Sequence, residues 1–388
     1  MAKSMLSATN AFKFVFILGI VNLFADMTYE GASSINGPFL GSLGASAAAI
    51  GIIAGVGEFL GYSLRFIAGY FADKTGKYWL ITFIGYTINL LAVPALAWAG
   101  NWQVAAGLMV AERVGRAIRK PSVETMLSYT TETLGKGWVY GLNNALDQLG
   151  ATLGPLLMAL VLVLKGNYRT GYTVLLISAL LAIATLAVAR KFFPYPSKFE
   201  SRPSTKTKGF STSYWLYMAA GTCVAAGLVS FELIAYHFSK TGTVTKQWIP
   251  LFFALAMGTD AIVSLIFGKL FDRVGMPIVI IAFFLSSLFA PFVFFGNFPL
   301  ALIGMVLWGI GFGAQDTLLK AIIAGILPDG KRNFAFGLFY TGYGSGWLVG
   351  SVTTGLLYSR SLPLVVAFSV VMQLISLPFF LVAKRLSK

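Results

Sequence analysis

Of the 388 residues, 57% are hydrophobic and only 11% are charged, and the mean hydropathy is +0.78. A surface that faces water carries roughly 25% charged residues, so most of this chain's exterior faces lipid and an ordinary soluble domain is excluded. The net charge of +15 does not point to nucleic acid, because the basic residues sit in short clusters between apolar runs and form no stripe.

The apolar runs follow one another along the whole chain, each near the roughly 20 residues a spanning helix needs. No period-two pattern of the kind a membrane barrel shows is present. The first run follows Lys13 and passes Asp26 without a small-residue cleavage site, so it reads as a retained span and not a leader. Runs bounded by charge, Pro or Gly predict spans at 12–38, 46–71, 78–98, 103–126, 138–163 and 169–191, then at 213–237, 248–271, 276–296, 298–325, 334–358 and 362–383. Between them lies Phe192 to Thr212, rich in Pro, Ser, Lys and Arg, with the composition of a solvated linker. The expected fold is an all-α polytopic membrane protein of about twelve helices. Its parts are an N-terminal six-helix bundle (1–191), a linker (192–212) and a C-terminal six-helix bundle (213–388).

With the N-terminus inside, twenty basic residues fall in cytoplasmic segments, Arg119 and Lys120 counted among them, and five outside. That bias alternates correctly only for an even number of spans. Both termini are therefore expected in the cytoplasm, and the compact loops fit a cytoplasmic (inner) membrane.

Two patterns recur across the halves. Gly69, Asp73, Lys74, Gly76 and Lys77 follow the second span, and Gly268, Asp272, Arg273 and Gly275 follow the eighth, 199 residues later. Gly141, Gly150 and Gly154 match Gly337, Gly346 and Gly350 at an offset of 196. Repeated patterns at nearly equal offsets indicate a duplicated unit with internal pseudo-symmetry. The turn glycines permit unusual backbone angles and close helix approach. Asp73 is placed to meet a helix N-terminus or a cation, and so to latch one conformation.

These residues resemble the major facilitator superfamily, whose signature loop G-x-x-x-D-[RK]-x-G-[RK]-[RK] joins the second and third helices and recurs more weakly between the eighth and ninth. Tyr78 departs from the last basic position, and the second copy loses its basic tail at Met276-Pro277. Arg113 stands where the family often has a motif arginine. Gly150, Gly154 and Pro155 resemble the glycine–proline motif of its proton-coupled antiporters, and the same residues also read as plain helix packing. The resemblance covers the whole chain and implies secondary transport, with the proton-coupled efflux branch the most similar.

Ionisable residues inside spans cost roughly 2.5–3.5 kcal/mol each on insertion scales and so mark function or paired structure. The candidates are Asp26 and Glu30 in the first span, Glu58 in the second, Glu112, Arg113 and Arg116 in the fourth, and Asp147 in the fifth. Asp26 and Glu30 share a face at i, i+4, as do Glu112 and Arg116, which are expected to pair. Arg113 points elsewhere and could meet Asp26, Glu58 or Asp147. Each carboxylate reads either as a proton or substrate group or as a structural ion pair. The arginines read either as partners to those carboxylates or as ligands for an anion. Asp316 and Lys320 are expected to pair at i, i+4. Phe339 and Tyr343 are candidates to line an apolar substrate cavity.

His237 and Cys223 are the only histidine and cysteine. One of each cannot found a metal cluster or an internal disulfide, and both read as packing residues. With no nucleophile–base pair and no phosphate loop in view, no catalytic residue, cofactor or metal is expected.

The leading expectation is a proton-coupled exporter of a small, partly apolar compound, acting as a monomer in the bilayer. An importer or uniporter of an anionic metabolite and a non-transporting receptor are the alternatives.

Overall fold

The computed structural model describes residues 2–134, 136–196, 211–319, 321–323 and 332–386. The side chains of Asp73 and Asp272, Lys320 as a whole, and most of the predicted linker lie outside the described residues. Among those described, the regular elements are helices: α1 (Ala2–Ser42), α2 (Ala47–Thr75), α3 (Tyr78–Ala95), α4 (Trp102–Ser128), the single turn α5 (Thr131–Leu134), α6 (Lys136–Val163), α7 (Tyr168–Phe192), α8 (Thr212–Gly227), α9 (Phe231–Thr241), α10 (Trp248–Val274), α11 (Met276–Ser287), α12 (Phe289–Phe295), α13 (Phe298–Ala314), α14 (Arg332–Tyr358) and α15 (Leu362–Leu386).

Ten segments of this set are long and apolar enough to cross a membrane. α4 and α14 are not among the ten, yet each has 27 residues, about 40 Å at 1.5 Å per residue. α4 falls short through its polarity, because it carries Glu112, Arg113, Arg116, Arg119, Lys120 and Glu124. With these two, the described residues hold the twelve spans expected from the sequence.

Three predicted spans are interrupted. The seventh (213–237) breaks at Leu228–Ser230 into α8 and α9. The carbonyls freed there are used: Val229 O accepts from Trp308 Nε1 at 2.9 Å, and Gly227 O accepts from Ser369 Oγ at 2.6 Å. The ninth (276–296) divides at Leu288 into α11 and α12. The tenth carries a π-helical turn, Gln315–Leu319, a feature frequent at functional sites. The expected Asp316–Lys320 pair falls outside the described residues, because Lys320 does.

Contacts divide the chain into two units. The first comprises Met1–Ala32, Leu64–Ala99 and Gln103–Pro203, and the second Ser33–Ser63, Gly100–Trp102 and Ser204–Lys388. The main boundary falls inside the predicted linker, but residues 33–63 group with the second unit. Within that unit a Cβ on Gly37 or Gly51 would collide with the carbonyl oxygens of Glu232 or Ser351, so the ends of α1 and α2 lie directly on its backbone.

The internal repeat is visible in the packing. In the first unit a Cβ on Gly150 would collide with Leu23 O, and one on Gly154 with Met27 O. In the second unit Gly346 stands in the same relation to Thr222 O, and Gly350 to Ala226 O. Both pairs keep offsets of 199 on one helix and 196 on the other. Gly76 and Gly275 both adopt the left-handed region, at φ 63° and 70°, where glycine meets no Cβ penalty. Gly69 lies against Pro121, and Gly268 against Thr317, again 196 residues on.

Equivalent glycines should therefore cost the same when filled. Gly150→Val and Gly346→Val are each expected to destabilise the protein by about 1–3 kcal/mol through overpacking. Gly107→Val, at a position with nothing within 4 Å, should be near neutral. Thermal unfolding of the purified variants checks this.

Candidate functional site: a charged cavity in the first unit

α1 and α4 present matching polar ladders. Along α1, Asn22, Asp26 and Glu30 recur every four residues; along α4, Glu112, Arg116 and Arg119 recur every three or four. Such spacing puts each set on one helix face. With the helices antiparallel, Asp26 meets Arg119 (Oδ1 to Nη2, 3.9 Å) and Glu30 meets Arg116 (Oε1 to Nη1, 3.9 Å). Arg116 also pairs with Glu112 at 3.1 Å, as expected from their spacing. Arg113 does not turn away from this pair as its position implied, because its Nε lies 3.3 Å from Glu112 Oε2. Asn89 on α3 donates to Glu112 Oε1 at 2.8 Å. Glu112 is thus held by two arginines and an amide, an arrangement that compensates its burial.

Arg119 is the centre of the deeper part. It is 4% exposed, although its place near a basic cluster had assigned it to a cytoplasmic segment. Its guanidinium stacks over the Tyr86 ring at 4.3 Å and approaches Tyr29 at 5.8 Å, and Nη1 donates to Asn22 Oδ1 at 3.4 Å. Tyr86 Oη donates to the same Asn22 oxygen. Tyr29 Oη donates to Asp26 Oδ1 at 2.6 Å, and the Tyr29 ring lies 4.2 Å from the Arg116 guanidinium. From Asn22 the network crosses to α6: Asn22 Nδ2 donates to Asn143 Oδ1 at 2.9 Å, and Asn143 Nδ2 donates to Asp147 Oδ2 at 3.3 Å. The other Asp147 oxygen, Oδ1, is buried without a hydrogen-bond partner.

Close helix approach makes this network possible. Gly150 and Gly154 seat α6 on the backbone of α1 beside Asp26, and Gly85 and Gly115 do the same for α3 and α4 beside Arg119. Asn22, Asp26, Tyr29, Arg119, Lys120 and Asp147 line a cavity of about 40 Å³, which is room for ordered water.

Of the expected site residues, Asp26, Glu30, Glu112, Arg113, Arg116 and Asp147 belong to this network. Glu58 belongs to the second unit, within electrostatic reach of the Tyr343 hydroxyl. Arg119, Tyr29, Tyr86, Asn22, Asn89 and Asn143 were not anticipated. Asparagines recurring in otherwise apolar runs were the available signal. His237 is 3% exposed, with Nδ1 2.9 Å from Tyr358 Oη, a packing role.

A buried, charged, water-sized cavity lined by α1, α4 and α6, in a chain whose helices are long and apolar enough to cross a membrane, fits a multi-pass membrane transport protein. The family profile of the Major Facilitator Superfamily matches residues 16–276 and 210–388, and the chain belongs to that family. It is 34% identical over 378 residues to an uncharacterized protein of Mycobacterium tuberculosis, covering 95% of this chain and 92% of the relative. It is 26% identical to an uncharacterized MFS-type transporter of Methanocaldococcus jannaschii, covering 94% and 93%. Its fold is similar to the crystal structure of a variant of the nucleoside transporter NupG, at TM-score 0.77 and 11% identity over 95% of this chain and 100% of that one.

Proposed function

We propose that this transporter works by alternating access and couples proton movement through the α1–α4–α6 cavity to efflux of a small, partly apolar compound across the cytoplasmic membrane, with both termini in the cytoplasm. The observation that carries the reading is the contrast between two carboxylates lining one cavity. Asp26 is met by Arg119 and Tyr29, whereas Asp147 keeps one buried oxygen with no donor. A buried carboxyl oxygen without a donor is costly, and a proton or a water supplies what is missing. A shift of Arg119 between Asp26 and Asp147 would exchange which of the two is compensated, and so which holds a proton.

The anion-import alternative is disfavoured by the placement of its proposed ligands, because Arg113 and Arg116 both already face Glu112. In the signature loops, Gly69, Asp73, Lys74, Gly76 and Lys77, with Gly268, Asp272, Arg273 and Gly275, are the proposed cytoplasmic gate.

The test begins with a compound found by thermal-shift screening, since a ligand stabilises the state it binds. In proteoliposomes an imposed pH gradient is expected to drive its accumulation, and a protonophore to abolish it. Accumulation indifferent to the gradient would overturn proton coupling.

A further inference from the structure

The offsets that superpose the two halves also superpose their sites, and the chemistry differs at every position. At an offset of 196, Glu112 corresponds to Trp308, Arg116 to Phe312, Arg119 to Gln315, Asn143 to Phe339 and Asp147 to Tyr343. On α1 the offset is 199, so Asn22 corresponds to Gly221 and Asp26 to Ala225. The packing supports this register: the Asn22–Asn143 hydrogen bond of the first unit has as its counterpart a contact of Gly221 with the Phe339 ring. The Glu112–Arg116 ion pair has as its counterpart the Trp308–Phe312 ring pair, with centroids 4.2 Å apart.

The rings form a connected set within the second unit. Phe312 meets Trp347 at 5.7 Å edge-on, Trp347 meets Tyr343 at 6.1 Å, and Tyr343 meets Tyr62 at 5.3 Å. A purely structural aromatic core would satisfy its polar handles. Here Trp347 Nε1 and Gln315 Oε1 are buried without a hydrogen-bond partner, and Tyr343 Oη faces the Gln315 side chain, on residues only 5%, 6% and 2% exposed. Buried polar groups ordinarily find partners, so two unmade bonds in one ring cluster, one of them on a π-helical turn, mark a place built for something else to complete.

We infer that this aromatic counterpart of the charged cavity seats a planar aromatic part of the transported molecule. Phe312, Tyr343 and Trp347 supply ring faces and edges. Trp347 Nε1 and Tyr343 Oη donate hydrogen bonds to an acceptor on the ligand, and the Gln315 amide oxygen accepts one from it. Ligand sites of this type are apolar, with a few convergent polar groups. The inference rests on the transport reading above and names its substrate class: the first unit handles charge and the second handles the aromatic cargo.

The probes are 2-naphthamide and its saturated analogue decahydronaphthalene-2-carboxamide, matched in outline and in the carboxamide. Binding to the full chain in nanodiscs is measured by titration calorimetry. Wild-type protein is expected to prefer the aromatic probe by roughly tenfold. Tyr343→Phe, which keeps the ring and loses one donor, and Trp347→Phe, which stays aromatic but loses the indole N–H with part of the ring surface, are each expected to weaken it roughly three- to tenfold. Thermal unfolding of each variant establishes that it is folded, and Gln315→Leu gives a second reading through loss of the acceptor. Equal affinity for the two probes, no binding of either, or Phe variants that bind like wild type would overturn the inference. Lost aromatic preference with pH-driven flux intact would sink the aromatic seat alone. Retained preference with no response to pH would sink the coupling alone.

Discussion

Arg119→Leu is expected to destabilise the protein by about 3–5 kcal/mol, the cost of leaving one member of a buried ion pair without its partner, and to abolish transport. The side chain meets Asp26 at 3.9 Å, donates to Asn22 and lies over the Tyr86 ring at 4.3 Å. Its loss leaves the Asp26 carboxylate, 8% exposed, with only the Tyr29 hydroxyl among these contacts. Arg119→Lys should recover only part of the loss, because an ammonium keeps the charge but neither the planar fork nor the ring stacking. Removing both charges in Arg119→Leu with Asp26→Leu should cost much less than the sum of the single changes, since a buried pair replaced by apolar groups is often close to neutral. A double-mutant cycle read by thermal unfolding of purified protein checks this. Additive effects would mean that the two groups do not act as a pair.

Asp147→Asn is expected to leave folding intact and abolish accumulation driven by a pH gradient. Asparagine is nearly isosteric and can still accept from Asn143, which approaches Oδ2 at 3.3 Å, but it cannot exchange a proton. Energetically downhill exchange of a bound compound should persist, because that needs only the conformational cycle. Flux assays in proteoliposomes with and without the gradient separate the two behaviours. Loss of both would make Asp147 a group required for the cycle itself and not for coupling.

Much of this was legible from residues alone. Apolar run lengths gave the helices, because a helix must satisfy its backbone internally wherever lipid surrounds it. The recurring glycines gave the repeat, since close backbone approach leaves no room for a side chain at Gly150, Gly154, Gly346 or Gly350. The i, i+4 spacing gave the Glu112–Arg116 pair. Arg119 was misplaced because a count of basic residues near span ends cannot distinguish one reaching water from one turned toward Asp26 on a neighbouring helix. The break at Leu228–Ser230 was missed because its residues keep the apolar run continuous, while the carbonyl partner that stabilises it, Trp308, lies 79 residues away. The aromatic counterpart was only half visible. Phe339 and Tyr343 stood out by depth, but Trp347 and Gln315 acquire meaning only once α14 and the π-helical turn are brought together.

The claim on which the rest depends is that the Asp147 carboxyl takes up and gives up a proton inside the α1–α4–α6 cavity. Infrared difference spectroscopy between acidic and alkaline buffer measures this without any substrate, through the carbonyl stretch of protonated carboxyl groups. Wild-type protein should show a reversible band of this kind that is missing from Asp147→Asn. A spectrum unchanged by that substitution would contradict the account.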